Sequence, residues 1–213
     1  MVYLKIKRLM DIILSAVGLI LLSLVFLVII IAIKLDSPGP VLFKQKRVGL
    51  RKSHFNILKF RTMRIDTPKD TPTHLLGNAD QWITKVGKFL RKTSLDELPQ
   101  IINIFKGEMS IIGPRPALWN QYDLIEERDM YGANHVPAGL TGWAQINGRD
   151  ELEIDVKAKL DGEYAEKIGL VMDTKCFLGT FLSIVKSDGV VEGGTGKTRQ
   201  KAYPSNYKVE ESV

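Results

Sequence analysis

Residues 12–33 read IILSAVGLILLSLVFLVIIIAI, 22 positions without a charge, relieved only by Ser15, Gly18 and Ser23. As a helix this run measures about 33 Å, enough to cross a hydrocarbon core. It is too long for the apolar region of a cleaved signal peptide, and no small-x-small site follows it. A buried globular helix of this length and uniform apolarity is the weaker reading. Residues 1–36 are therefore expected to form a membrane element. Lys5, Lys7 and Arg8 precede the run, and Lys34, Lys44, Lys46, Arg47, Arg51 and Lys52 follow it. Positive charge favours the cytoplasmic side, so a helix that re-enters the same leaflet would satisfy both flanks. Length favours a span, and no proline lies inside the run to bend it, since Pro38 and Pro40 come after its end. Both geometries stay open, and in either the larger basic flank holds the rest of the chain in the cytosol.

Outward from this element, the 213-residue chain has room for one further domain, residues 37–192, and a polar tail, residues 193–213. The net charge of +6 favours anionic partners such as acidic headgroups, phosphorylated substrates or nucleic acid. Cys176 is the single cysteine, which excludes an internal disulfide. Ser37-Pro38-Gly39-Pro40 is a turn out of the membrane element. Val41–Val48 and His54–Met63 read as a hairpin, in which Phe55, Ile57, Lys59 and Arg61 share a face. Its two cations are either a phosphate-facing pair or a solvated edge. Residues 66–81 read as a loop. Helices are expected over Trp82–Lys92, Leu98–Phe105, Ala117–Met130, Glu151–Ile168 and Asp173–Lys186, with Pro137–Arg149 a glycine-rich loop that approaches a ligand closely.

Ser94-Leu95-Asp96-Glu97-Leu98-Pro99-Gln100 carries the chemistry. One reading is a capping box, with Ser94 as the cap and Glu97 reaching back. Pro99 then falls past the first turn and removes a helical hydrogen bond. If Asp96 is the cap instead, both carboxylates lie at a helix N-terminus, where the dipole favours their ionised forms. An ionised Asp96 can act as a nucleophile, and Glu97 can hold a divalent metal. Gly113-Pro114-Arg115-Pro116 fixes the backbone on both sides of Arg115, suited to forked contact with phosphate oxygens or to a plain turn. Arg91 lies just before the acidic pair, and Gly148-Arg149 repeats the theme. The run Gly193-Gly194-Thr195-Gly196-Lys197-Thr198 fails as a phosphate loop, because Val191 stands where the first glycine belongs. His54, His74 and His135 lack metal-ligand spacing, and Cys176 lies within an apolar helix, so all four read as structural or solvated.

Several of these motifs together resemble the small monotopic phosphoglycosyl transferases, the bacterial sugar transferases that begin glycan and exopolysaccharide assembly. The likeness reaches about Asp188. It rests on Lys7-Arg8-Leu9-Met10-Asp11, Asp36–Pro40, Lys59-Phe60-Arg61-Thr62-Met63, Ser94–Gln100, Gly113–Pro116 and Gly139–Arg149. The resemblance implies an α+β fold, mainly helical with a small β-hairpin, seated by a re-entrant helix and interfacial amphipathic helices. It also implies a double displacement in which Asp96 takes a phosphosugar from a UDP-sugar, releases UMP and passes the group to polyprenyl (undecaprenyl) phosphate. Glu97 would bind Mg²⁺, and Lys59, Arg91, Arg115 and Arg149 would hold phosphates. Asp161 and Asp173 match acidic positions of less defined role. The expected location is the bacterial inner membrane, with the catalytic domain on the cytosolic face and no nucleic-acid partner. Many relatives break the apolar helix with Ser-Pro, where this chain reads Ser23-Leu24.

Displacement at phosphorus needs charge neutralisation and alignment more than acid–base groups, which agrees with a site rich in Arg and Lys. Two other readings compete. A non-enzymatic membrane-anchored scaffold for anionic lipid or nucleic acid has no use for adjacent acids in a cationic site. A nucleotide-sugar hydrolase shares only the first half-reaction. Nothing in the sequence chooses the sugar.

Overall fold

The computed structural model of the chain describes residues 2–67, 79–148 and 152–186. In order, the elements are α1 (Val2–Leu21), α2 (Ser23–Asp36), β1 (Leu42–Val48), β2 (His54–Phe60), α3 (Lys85–Lys92), α4 (Gln100–Lys106) and β3 (Ser110–Ile112). There follow α5 (Tyr122–Met130), β4 (Gly139–Thr141), α6 (Trp143–Ile146), α7 (Ile154–Glu166) and α8 (Leu170–Lys186). The chain is thus mainly helical with small sheets. The sequence reading of residues 68–78, of Arg149 and of the tail lies outside the described residues.

The apolar run is shared between α1 and α2, whose axes meet at 60°. No single helix among the described residues is long and apolar enough to cross a membrane, whereas the bent pair meets that test together. The break falls at Leu22, with φ −90° and ψ 2°, between Gly18 and Ser23. Helices do bend at Gly and Ser without proline. Bonds from Leu22 N to Gly18 O (2.9 Å) and from Phe26 N to Leu22 O (2.8 Å) close the turns on either side. Packing sets the direction, because the two arms have different partners. α2 buries Ile29 and Ile33 against Phe60 and Leu90, with Phe26 edge-on to Phe60 at 5.3 Å. Each such large side chain contributes about 1.5–3 kcal/mol when fully buried.

α1 docks through polar groups. Lys7, Asp11 and Ser15 are its buried residues, four apart and therefore on one face, while Leu9, Ile13, Leu14, Val17 and Ile20 remain exposed. Asp11 accepts from Ser110 Oγ (2.8 Å) and from Ile111 N (3.0 Å). Lys7 Nζ donates to Asp173 Oδ2 at 2.6 Å, and the hydroxyls of Tyr3 and Tyr164 each donate to the same carboxylate at 2.7 Å. Arg8 donates to Ile104 O (2.6 Å) and Phe105 O (2.8 Å) at the end of α4. Lys7 and Arg8, counted from sequence as an orienting flank, are thus engaged in holding α1 against the rest of the chain.

The hairpin pairs antiparallel from Leu42↔Phe60 to Val48↔His54. β2 stops at Phe60 rather than Met63, because Arg61 turns inward and donates to Pro38 O and, at 2.8 Å, to Ser37 O. Arg61 therefore braces the Ser37–Pro40 turn and does not join Lys59 as a phosphate-facing pair. The expected loop after Pro137 contains β4 and α6, and β4 pairs in parallel with β3. Two glycines permit that pairing, since a Cβ on Gly139 would lie 2.1 Å from Gly113 N, and one on Gly113 would lie 2.2 Å from Pro137 O. Backbone here meets backbone, and the strand–turn Gly113-Pro114-Arg115-Pro116 is locked in place by Gly113 N to Thr141 O and Gly139 N to Pro114 O, both 2.8 Å. The main cores lie under α7 and α8, around Tyr164, Met172 and Cys176, and under α5, around Val48, Leu124 and Ala158. Burial pushes the Cys176 thiol up to about 12, so it is an inert core group.

Candidate active site

Asp96 and Glu97 occupy a 3-10 turn, Leu95–Glu97, that runs through Leu98 and Pro99 into α4. Thr84 caps α3 by accepting from Gly87 N at 3.0 Å, and Asp36 accepts from Val86 N at 3.1 Å, so the end of α2 helps to fix α3. After α3, Ser94 enters the left-handed region at φ 56°, uncommon for a residue with a side chain. That conformation reverses the chain and turns the carboxylates toward β2. The capping box does not form, because Ser94 makes no side-chain cap bond and Glu97 points to two cations instead. Asp96 is not a cap either; both acids lie in the first turn of the combined helical stretch. Pro99, at φ −61°, starts α4 without breaking it.

Glu97 Oε1 accepts from Lys59 Nζ at 2.8 Å and from Arg115 NH2 at 2.6 Å, and Oε2 accepts from Arg115 NH1 at 3.4 Å. Burial works to raise its pKa, but Arg115 and Lys59 outweigh it and hold the carboxyl well below the usual range. The Asp96 carboxylate accepts no side-chain hydrogen bond among the described residues. Burial pushes its pKa up, Lys59 and Arg91 pull it down, Glu97 opposes them, and the net direction is upward. The pKa values of the two neighbouring acids are thereby driven apart: Glu97 is an anion clamped by cations, and Asp96 a partly buried carboxylate whose charged form is disfavoured.

Arg91 Nε donates to Thr62 Oγ1 at 3.0 Å, which ties the end of α3 to the stretch after β2. Arg115 is supported from behind, since Arg128 NH2 donates to the Arg115 carbonyl at 2.9 Å and Arg128 also grips Asp161 Oδ2 at 2.9 and 2.5 Å. Asp161 is 1 % exposed, its Oδ1 has no hydrogen-bond partner among the described residues, and burial pushes its pKa up against the pull of Arg128. The structure thus brings Asp96, Glu97, Lys59, Arg91 and Arg115 to one site and puts Asp161 one residue behind it. Asp173 belongs to the buried cluster with Lys7, Tyr3 and Tyr164. Arg149 lies outside the described residues. Sequence reasoning missed Arg128, for which no local signal exists, and Thr62, which lies inside a quoted motif.

Among the described residues no group of three His, Cys, Asp or Glu side chains could hold a metal. Glu97 Oε2 is the weakly engaged oxygen of the pair, with only the 3.4 Å contact. One carboxylate oxygen is what Mg²⁺ would require of this chain, since Mg²⁺ is commonly held by one or two carboxylates and completed by substrate phosphates.

The profile of the bacterial sugar transferase family matches residues 2–187. The UDP-glucose:undecaprenyl-phosphate glucose-1-phosphate transferase of Escherichia coli K12 is 43% identical over 188 residues, 84% of this chain and 39% of that protein. The uncharacterized sugar transferase EpsL of Bacillus subtilis is 37% identical over 184 residues, 86% of this chain and 89% of EpsL. A UDP-N-acetylgalactosamine-undecaprenyl-phosphate N-acetylgalactosaminephosphotransferase from Aeromonas hydrophila is 36% identical over 193 residues, 88% of this chain and 45% of that protein. The chain therefore spans less than half of two of these relatives and most of the third. On the family match over nearly all of its described length, the chain belongs to the bacterial sugar transferases.

Proposed function

We propose that the chain is a phosphoglycosyl transferase that moves a sugar-1-phosphate from a UDP-sugar to polyprenyl phosphate, as the names of its relatives describe for them. The observation that carries this reading is the split between the adjacent acids, Glu97 clamped by Lys59 and Arg115 and Asp96 accepting no side-chain hydrogen bond among the described residues. An Asp96 oxygen attacks the sugar-side phosphorus. The bond from that phosphorus to the bridging oxygen breaks, and UMP leaves with the electron pair. The aspartyl phosphosugar is then attacked at phosphorus by an oxygen of polyprenyl phosphate, which forms a diphosphate and restores the Asp96 carboxylate. Arg115, Lys59 and Arg91 align and neutralise the phosphoryl oxygens, the main requirement of such a displacement. Mg²⁺, held by Glu97 and the diphosphate, would supply further charge neutralisation.

The bent α1–α2 pair suits a re-entrant seat, since its 60° break returns both ends toward one side, and its exposed apolar residues would face lipid. The exposed Leu170, Val171, Phe177, Leu178, Phe181 and Leu182 of α8 suit an interfacial helix. Both features support a site at the inner membrane, facing the cytosol, where a lipid phosphate would reach it. The sugar is not chosen by these contacts. UMP release measured over a panel of UDP-sugars with Mg²⁺ tests the reading. One donor should give UMP beyond one equivalent per chain only when polyprenyl phosphate is added. Continued UMP release without the lipid would identify a hydrolase, and no release from any donor would leave the scaffold reading.

A further inference from the structure

Behind the hairpin lies a second cationic site that the transfer chemistry does not use. A groove of about 580 Å³ runs between the hairpin and the C-terminal end of α4, lined by Lys44, Arg51, His54 and Lys106, with Leu50 and Phe55 as its apolar part. The hairpin register separates it from the acids. Lys44 pairs with Leu58 and Val48 with His54 on one face, whereas Lys59 pairs with Phe43 on the other; Phe55 has the parity of Lys59 and lines the groove only at the loop end of the hairpin. Lys44, Arg51, His54 and Lys106 are all exposed, and none has an ion-pair partner among the described residues. Arg51 is held at φ 52°, a conformation that residues with side chains seldom adopt.

Two local contacts engage acceptors that would otherwise repel an anion here. The C-terminal carbonyls of α4, the negative end of its dipole, are taken by the Arg8 guanidinium at Ile104 and Phe105. Glu108, the one acidic lining residue, is drawn against Asn103 Nδ2 at 2.5 Å, and Asn103 is itself completely buried. Three fixed cations thus face one carboxylate across a space large enough for a phosphate ester. Arg8 lies on α1, the helix with the exposed apolar face, so the groove adjoins the element that meets lipid.

We propose that this groove binds a phosphate-bearing anion at a site distinct from the transfer centre, with a phosphodiester headgroup of an anionic phospholipid as the ligand. The claim rests on the membrane seat of α1 proposed above and not on the transfer chemistry. Its test uses the full chain in a non-ionic detergent, with the His54 imidazole resonances, assigned by His54→Gln, followed by NMR. Short-chain phosphatidylglycerol and inorganic phosphate are titrated separately. Saturable movement of His54, with His135 still, is expected for the lipid at lower concentration than for inorganic phosphate. A lower midpoint for inorganic phosphate would overturn the lipid headgroup as ligand. The triple variant Lys44→Gln, Arg51→Gln, Lys106→Gln should raise the lipid midpoint about tenfold, from the loss of three exposed charge contacts. UMP release by that variant in detergent should equal that of the parent chain. No saturable His54 movement with either probe, or an unchanged midpoint in the variant, overturns the site.

Discussion

Asp96→Asn lowers sugar-phosphate transfer by at least about 10³-fold, the scale expected when a covalent nucleophile is removed. Folding should be unharmed or slightly favoured. The native carboxylate makes no side-chain hydrogen bond among the described residues, and burial already works against its charge. Asn keeps the shape and removes the charge. Glu97→Gln is a less clean probe, because it leaves Lys59 and Arg115 without their shared anion and so costs stability as well as activity. The same assignment gives a pH dependence. Asp96 must be ionised to attack and burial raises its pKa, so kcat/KM falls as the pH drops through a value above that of an ordinary aspartate. Glu97, held low by Arg115 and Lys59, stays ionised across that window. A profile in which the acid limb lies at or below the ordinary aspartate value would count against Asp96 as the group that titrates.

Asp173→Ala has the second large effect, on stability. It leaves Lys7, with a side chain only 6% exposed, without its 2.6 Å partner, strips the Tyr3 hydroxyl of its acceptor, and leaves the Tyr164 hydroxyl only the Ile112 carbonyl at 3.1 Å. Removing one member of a buried pair costs about 3–5 kcal/mol. Loss of α1 docking should appear as protease cleavage near the N-terminus and as a lowered thermal midpoint in detergent. Lys7→Met with Asp173→Leu should recover much of that loss, since a buried pair replaced by apolar groups is often neutral. A single variant that lost transfer but kept its thermal midpoint would instead put Asp173 in the reaction.

Much of the site was legible because short motifs carry their own geometry. Ser94–Gln100 placed two acids in one helical turn, and Gly113–Pro116 announced a fixed Arg115. What the motifs could not give was the partner of each group. Glu97 reads locally as the back half of a capping box, and only its long-range contacts with Lys59 and Arg115 remove that reading. Arg61 shares the β2 period with Lys59, yet the Ser37–Pro40 turn claims it. A bent membrane element was one of the two geometries left open, but its position at Leu22 was hidden because no proline marks it. A stripe of Lys7, Asp11 and Ser15, four residues apart, was present in the sequence as a sign that α1 leans on protein along one face. The β4 strand was hidden by its three-residue length and by the glycines that let its backbone touch Gly113.

The most direct test of the central claim is rapid-quench trapping with a UDP-sugar labelled in the sugar-side phosphate. Before polyprenyl phosphate is added, label should appear on the polypeptide with a stoichiometry approaching one, map to Asp96, vanish in Asp96→Asn, and move to lipid once the acceptor is supplied. Labelled lipid formed at full rate, with no label on the polypeptide at any mixing time, would contradict the account.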